Sequence, residues 1–252
     1  MLKRATAFML CLSLCMLPVS CATSLTERKR EARVSRQLGE SYLADGNVTA
    51  ALGVFLKAEK LYDQDHFLQN DLGLAYFAKG EYRLAIAHFK KAVKLKPDYS
   101  EAQNNMGAVY LRLKEWDSAI ACFNRALDNL LYATPQFALN NLGEAYRGKG
   151  DYKKSIDYYR KALDVDPRFP TAYRGLGLTY LAMGDYREAV SALEKAVRYA
   201  PDFAGAYFDL GRSYARQRKK QKAISAFGKV AELVPGSNLA DRALSEIRKL
   251  GE

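Results

Sequence analysis

The sequence predicts an all-α fold, a stacked array of helix pairs, and three observations carry that prediction. A Leu-Gly dipeptide (once Met-Gly) returns at near-fixed spacing, with its glycines at Gly39, Gly73, Gly107, Gly143, Gly177 and Gly211. Each glycine is followed at fixed offsets by a tyrosine, a small residue, a large apolar residue and another small residue; in the second period these are Tyr76, Ala85, Phe89 and Ala92. Proline then tends to close the period, at Pro97, Pro167, Pro201 and Pro235. Self-similarity of about 34 residues marks stacked supersecondary units, each unable to bury its own apolar face alone.

Each unit reads as two antiparallel helices. Steps of three and four hold the apolar residues on one face. Glycine and alanine at the facing positions let the helices approach, and the rings fill the flanking space. Turns fall at Asp45-Gly46-Asn47, Lys79-Gly80-Glu81, Lys149-Gly150-Asp151 and Met183-Gly184-Asp185, where glycine suits a left-handed helix end. Lys114 and Arg218 stand in for that glycine in the third and sixth units. Proline stops the second helix. The units run about 32–65, 66–99, 100–135, 136–169, 170–203 and 204–237. Residues 238–252 supply Leu239, Ala243, Leu244, Ile247 and Leu250 at helical spacing, a closing helix that Ser237 or Asn238 is placed to cap.

The Leu-Gly, Tyr, Ala, Phe, Ala, Pro series resembles the tetratricopeptide repeat over residues 32–237. The resemblance implies a right-handed superhelix of six repeats plus a capping helix, thirteen helices in all. Met106, Ser155, Val230 and Asp63 depart mildly from the pattern.

Residues 1–20 differ in composition from the rest. Lys3 and Arg4 precede an uncharged apolar run from Ala5 to Leu17, too short to span a bilayer comfortably and read as an export signal. Cys21, after a small residue at the end of that run, resembles the acylated cysteine of a bacterial lipoprotein, although Pro18 stands where the pattern prefers leucine. Ordinary cleavage after Ala22 is the alternative. Residues 21–31 are then expected to be a tether. Ala22 in place of aspartate favours the outer membrane, with the chain on its periplasmic face; without acylation the chain is soluble and periplasmic. Cys11 and Cys15 leave with the signal and Cys21 would carry the lipid, so Cys122 alone remains in the body, as a packed or partly exposed thiol with no intramolecular disulfide available to it.

Formal net charge is +11, and +9 once Lys3 and Arg4 are lost, because residues 1–20 hold no acid. Arg216, Arg218, Lys219, Lys220 and Lys222 cluster at one turn, as a patch for anionic headgroups or an acidic partner, or simply as a solvated turn. No nucleic-acid motif accompanies the charge. The two histidines, His66 and His88, lack ligand partners at metal spacing and read as surface residues. No phosphate loop, nucleophile elbow or cofactor motif appears, so the expectation is a non-enzyme without cofactor or metal.

In tetratricopeptide arrays the first helix of each repeat lines the groove. The resemblance therefore implies a partner-binding surface of Phe67, Asn70, Leu74 and Phe77, then Asn104 and Asn105, then Phe137, Asn140, Asn141 and Arg147, then Arg174 and Leu178, and finally Tyr207 and Phe208. Asparagines beside apolar groups suit an extended peptide, or else serve hydrogen bonds between repeats. Asn70 and Leu74 stand where the family's carboxylate clamp would need other residues, so that clamp is not carried over.

Irregular features add a narrower resemblance. Two extra residues fall in Asp128-Asn129-Leu130-Leu131-Tyr132-Ala133-Thr134-Pro135, and the last repeat ends Val234-Pro235-Gly236-Ser237. With six repeats and a lipoprotein start, the chain is similar to the type IV pilus pilotin family (PilF/PilW). That likeness implies an outer-membrane lipoprotein that helps a secretin localise and multimerise. An envelope adaptor for cell-wall hydrolases or assembly factors, and a free periplasmic chaperone, are the alternatives.

Overall fold

A computed structural model describes residues 17–251, with side chains from residue 24 onward. The described residues form thirteen α-helices and no strand. They fall into two compact units, up to Asn105 and from Met106.

The first unit holds α1 (Leu17–Ala44), α2 (Val48–Leu61), α3 (His66–Ala78), α4 (Tyr82–Leu95) and the start of α5 (Ser100–Arg112). The second continues with α6 (Trp116–Leu127), α7 (Pro135–Gly148), α8 (Tyr152–Val165), α9 (Pro170–Met183) and α10 (Tyr186–Tyr199). It closes with α11 (Ala204–Arg216), α12 (Lys220–Leu233) and α13 (Asn238–Gly251). Helices pair in chain order, and first helices also touch one another: α1 meets α3 in the first unit, while α7 meets α9, α9 meets α11 and α11 meets α13 in the second.

The repeated glycines have a specific packing role. A Cβ on Gly73 would lie 2.5 Å from the Phe89 ring, and on Gly211 2.7 Å from the Phe227 ring. Phe55, Phe89, Phe123 and Phe227 are fully buried as a result, each pressed onto a bare stretch of first-helix backbone. In the fourth pair the ring is Tyr159, wedged between Gly143 and Gly175, where added Cβ atoms would meet it at 2.8 and 2.3 Å. Alanines at the remaining facing positions are buried with these rings in a run of clusters along each unit.

Helix ends follow local chemistry. The Asn47, Asp65 and Asp151 side chains accept backbone N–H bonds at the starts of α2, α3 and α8, and Ser237 Oγ accepts from Ala240 N at 3.1 Å at the start of α13. α4, α8, α10 and α12 each end two residues before a proline. Gly80, Gly150 and Gly184 turn the chain at φ of 79°, 80° and 85°, and Lys114 and Arg218 hold the same left-handed conformation at 60° and 59°.

Three expectations need correction or placing. Residues 21–31 are not an extended tether: they belong to α1. The stretch from Thr26 to Arg33 contains no glycine or proline and is rich in helix formers, and Glu27 pairs with Arg30 one turn on. Arg28 Nε donates to the Leu61 carbonyl at 3.1 Å, and Ala32 is buried, so the lower part of α1 is fastened to the repeat. The histidines are not plain surface residues. His88 is half-buried, stacked on Tyr76 with Nδ1 2.8 Å from Gln69 Oε1, and burial lowers the pKa of both His66 and His88. The signal segment up to residue 16 and the Cys21 side chain lie outside the described residues. Cys122 is buried.

Candidate protein-binding groove

In the first unit, Phe67 stands 43% exposed at the start of α3 with its ring edge-on to Tyr99 at 5.6 Å. The Arg36 guanidinium lies 5.2 Å over the Phe67 ring. Arg36 occupies the groove register of Asn70 and Asn104, three residues before a repeat glycine, and sequence reasoning missed it although that register was the available signal. It meets Glu40 at 2.5 Å, Asp71 at 3.3 Å and Asp65 at 3.6 Å. Burial and the neighbouring Glu40 charge outweigh Arg36 and push the Asp71 carboxyl up to about 7. Arg36, Lys29, Arg33, Tyr62, His66 and Phe67 are among the residues around a cavity of about 380 Å³.

The asparagines of this unit answer one another. Asn105 Nδ2 donates to Asn70 Oδ1 at 3.0 Å, and Asn70 is buried. That pair joins two repeats, with Asn70 buried in it and Asn105 half-buried. Leu74, Phe77 and Asn104 are half-buried, and Phe77 rests on Tyr82.

In the second unit, Phe137 is 44% exposed and edge-on to Phe169 at 5.3 Å. Asn140 is buried beside Asn141, and its Oδ1 has no hydrogen-bond partner. Arg147, half-buried, reaches Glu144 at 3.8 Å with Nε unpartnered. Arg174 Nε donates to the buried Asp209 at 2.7 Å, and Arg212 approaches the same carboxylate at 3.5 Å. Asp209 is a further residue that the sequence reading missed; it is visible only once the fold brings it beside an arginine 35 residues earlier.

Leu178 is half-buried on α9. Tyr207 and Phe208 do not share a surface. Phe208 is buried against Phe227, with the Arg242 guanidinium of α13 lying 4.8 Å over it, so the closing helix covers this position. Tyr207 lines a separate cavity between α11 and α12. The five basic residues Arg216, Arg218, Lys219, Lys220 and Lys222 are exposed at the α11–α12 turn, and none forms an ion pair among the described residues. In the lengthened α6–α7 connection Leu130 and Leu131 project outward, 96% and 90% exposed. Asn129 Oδ1 accepts from Leu131 N at 2.9 Å, and Tyr132 is buried just beyond, so the exposed pair sits on a fixed turn.

This geometry offers apolar rings, paired ions and amides on stacked first helices, and the comparisons say which family builds it. Tetratricopeptide-repeat profiles match residues 73–114, 98–168 and 174–238. The chain is built from tetratricopeptide repeats. No curated protein matches it by sequence. Among solved structures, PilW, described as a widely conserved type IV pilus biogenesis factor, aligns with a TM-score of 0.76 at 22% identity, covering 84% of this chain and 98% of its own. PilF of Pseudomonas aeruginosa aligns at 0.71 and 20% identity, covering 87% and 99%. A tetratricopeptide protein from Parabacteroides merdae aligns at 0.72 and 19%, covering 88% and 84%. At these identities the matches establish the fold, an all-α array of superhelix-forming tetratricopeptide repeats.

Proposed function

We propose that the protein is a non-catalytic scaffold that holds a protein partner during type IV pilus biogenesis. The supporting observation is that PilW and PilF, at 22% and 20% identity, are each almost wholly covered by this chain, at 98% and 99%. The lengthened third connection and the Pro235-Gly236-Ser237 close are similar to the pilotin pattern and add to the reading.

In the finer form of the proposal, Cys21 is acylated and holds the chain on the periplasmic face of the outer membrane. Each buried methylene adds about 0.8 kcal/mol, so several chains make a lasting anchor. With residues 22–31 helical, Cys21 and Ala32, the first buried residue among those described, are separated along the helix by about 16 Å. The groove then captures a secretin subunit: exposed Phe67 and Phe137 take apolar side chains of the bound segment. Holding subunits in two dimensions raises their effective concentration and favours ring closure.

The test is deletion of the gene followed by a count of heat-resistant secretin multimers in the outer membrane, with Cys21→Ser as the companion variant. Loss of multimers, restored by the wild-type gene but not by Cys21→Ser, is expected. Normal multimers after deletion would sink the secretin role and favour an adaptor for cell-wall hydrolases or assembly factors. A mature N-terminus without acyl mass would sink the anchor and leave a soluble periplasmic chaperone.

A further inference from the structure

The residue fifteen places after a repeat glycine differs in kind from one helix pair to the next. In the second and fourth pairs it is aromatic. His88 stacks on Tyr76 with ring centroids 5.2 Å apart at 15°, and Tyr158 stacks on Tyr146 at 5.2 Å and 6°. In the fifth and sixth pairs the same position is Ala192 and Ala226. Beside each alanine a cavity opens, of about 300 Å³ next to Tyr180 and about 440 Å³ next to Tyr214.

The two cavities are built alike. Tyr173, Leu176, Tyr180, Ser191, Ala192 and Lys195 line the first, and the residues 34 places later, from Tyr207 to Lys229, line the second with the same side-chain types. The tyrosine that carries a stacked ring in the fourth pair carries none here: Tyr180 is half-buried beside the first cavity, and Tyr214, buried, has only the Lys222 ammonium 5.6 Å over its ring beside the second. The chain itself shows what fits that space: a flat ring, offset-stacked on the tyrosine and covered by a lysine, as Lys161 covers Tyr158 at 4.8 Å. The rims also have a sign. Arg187 and Lys195 face Glu188 in one, and Lys222 and Lys229 face Glu232 in the other, leaving a net positive mouth each time.

We infer that these twin seams are a second binding site, which takes two aromatic side chains from one acidic partner segment. Apart from Tyr207, it shares no residue with the groove set, so it stands or fails separately from the groove reading.

The probe is N-acetyl-L-phenylalanine, which joins one ring to one carboxylate, titrated into protein carrying ¹³C-labelled tyrosine rings. Saturable shifts at Tyr180 and Tyr214 are expected, at least threefold weaker with N-acetylphenylalaninamide and absent with N-acetyl-L-leucine. The Ala192→Tyr/Ala226→Tyr variant, which restores the ring of the fourth pair, should abolish them. Tyr180→Leu/Tyr214→Leu, which keeps apolar volume and removes the stacking face, should weaken binding about tenfold by the probe's remaining signals. Shifts that persist in the alanine-to-tyrosine variant, that follow N-acetyl-L-leucine equally, or that never appear up to the probe's solubility would each overturn the inference.

Discussion

Gly175 and Gly228 are both helical glycines, yet their substitution should move stability in opposite directions. A Cβ on Gly175 would lie 2.3 Å from the Tyr159 ring, which is itself pinned against Gly143 and cannot retreat. Gly175→Ala is expected to cost about 1–3 kcal/mol, as overpacking does. Gly228 faces open space in α12, so Gly228→Ala should gain about 0.5–1 kcal/mol from helix propensity alone. Urea melts of the two variants check both signs, and the same direction of change for both would show that the ring contact is not what requires Gly175. Asp71 supplies a pH test. Its folded pKa of about 7 lies above the unfolded carboxylate value, so the folded state holds the proton more tightly. The resulting stabilisation is complete below the unfolded pKa, near 4, and is lost as pH rises towards 7. Asp71→Asn removes that loss. Relative to wild type it should gain on the order of 1–3 kcal/mol between pH 5 and pH 8, read from denaturation midpoints at each pH, and a flat difference would refute the raised pKa.

At the scale of elements, the turns show how much was legible and where reading stopped. The period of the glycines and the apolar steps of three and four are local signals, so the helix pairs could be read from one chain. Lys114 and Arg218 were recognisable as stand-ins for glycine because the register fixed their place, and they do take φ near +60°. Replacing Lys114 by glycine should therefore stabilise the chain by about 0.5–1 kcal/mol, since a left-handed residue with a Cβ carries a steric cost; an unchanged melting temperature would deny the strain. The binding surface was less legible because its contacts join residues one repeat apart. Asn70 with Asn105 and Arg174 with Asp209 are both separated by 35 residues, and neither partner can be inferred from its own repeat. The helical course of residues 24–31 was missed for another reason: the repeat register ends at residue 32, while helix propensity continues before it.

Across the whole molecule, stability in a repeat array is a sum of neighbouring interfaces, so damage should stay near its source. α13 is the sharpest place to test this. Its Ala240 and Ala243 are buried, Ile247 and Leu250 pack on the last cluster, and Arg242 covers Phe208. Without α13 the faces of Phe208, Val230 and Leu233 lose the apolar cover that closes the array. A chain ending at Ser237 is expected to lose amide protection by tenfold or more in α11 and α12, with α3 and α4 changed by less than twofold. Hydrogen exchange read helix by helix distinguishes this from the alternative. Uniform loss of protection in α3, α4, α11 and α12 would mean that the array unfolds as one cooperative body, in which a partner bound at any repeat would stabilise all of them. Loss confined to the last helices would mean that binding at the seams of α9–α10 and α11–α12 can order that end without altering the Phe67 surface, so the two surfaces can be filled independently.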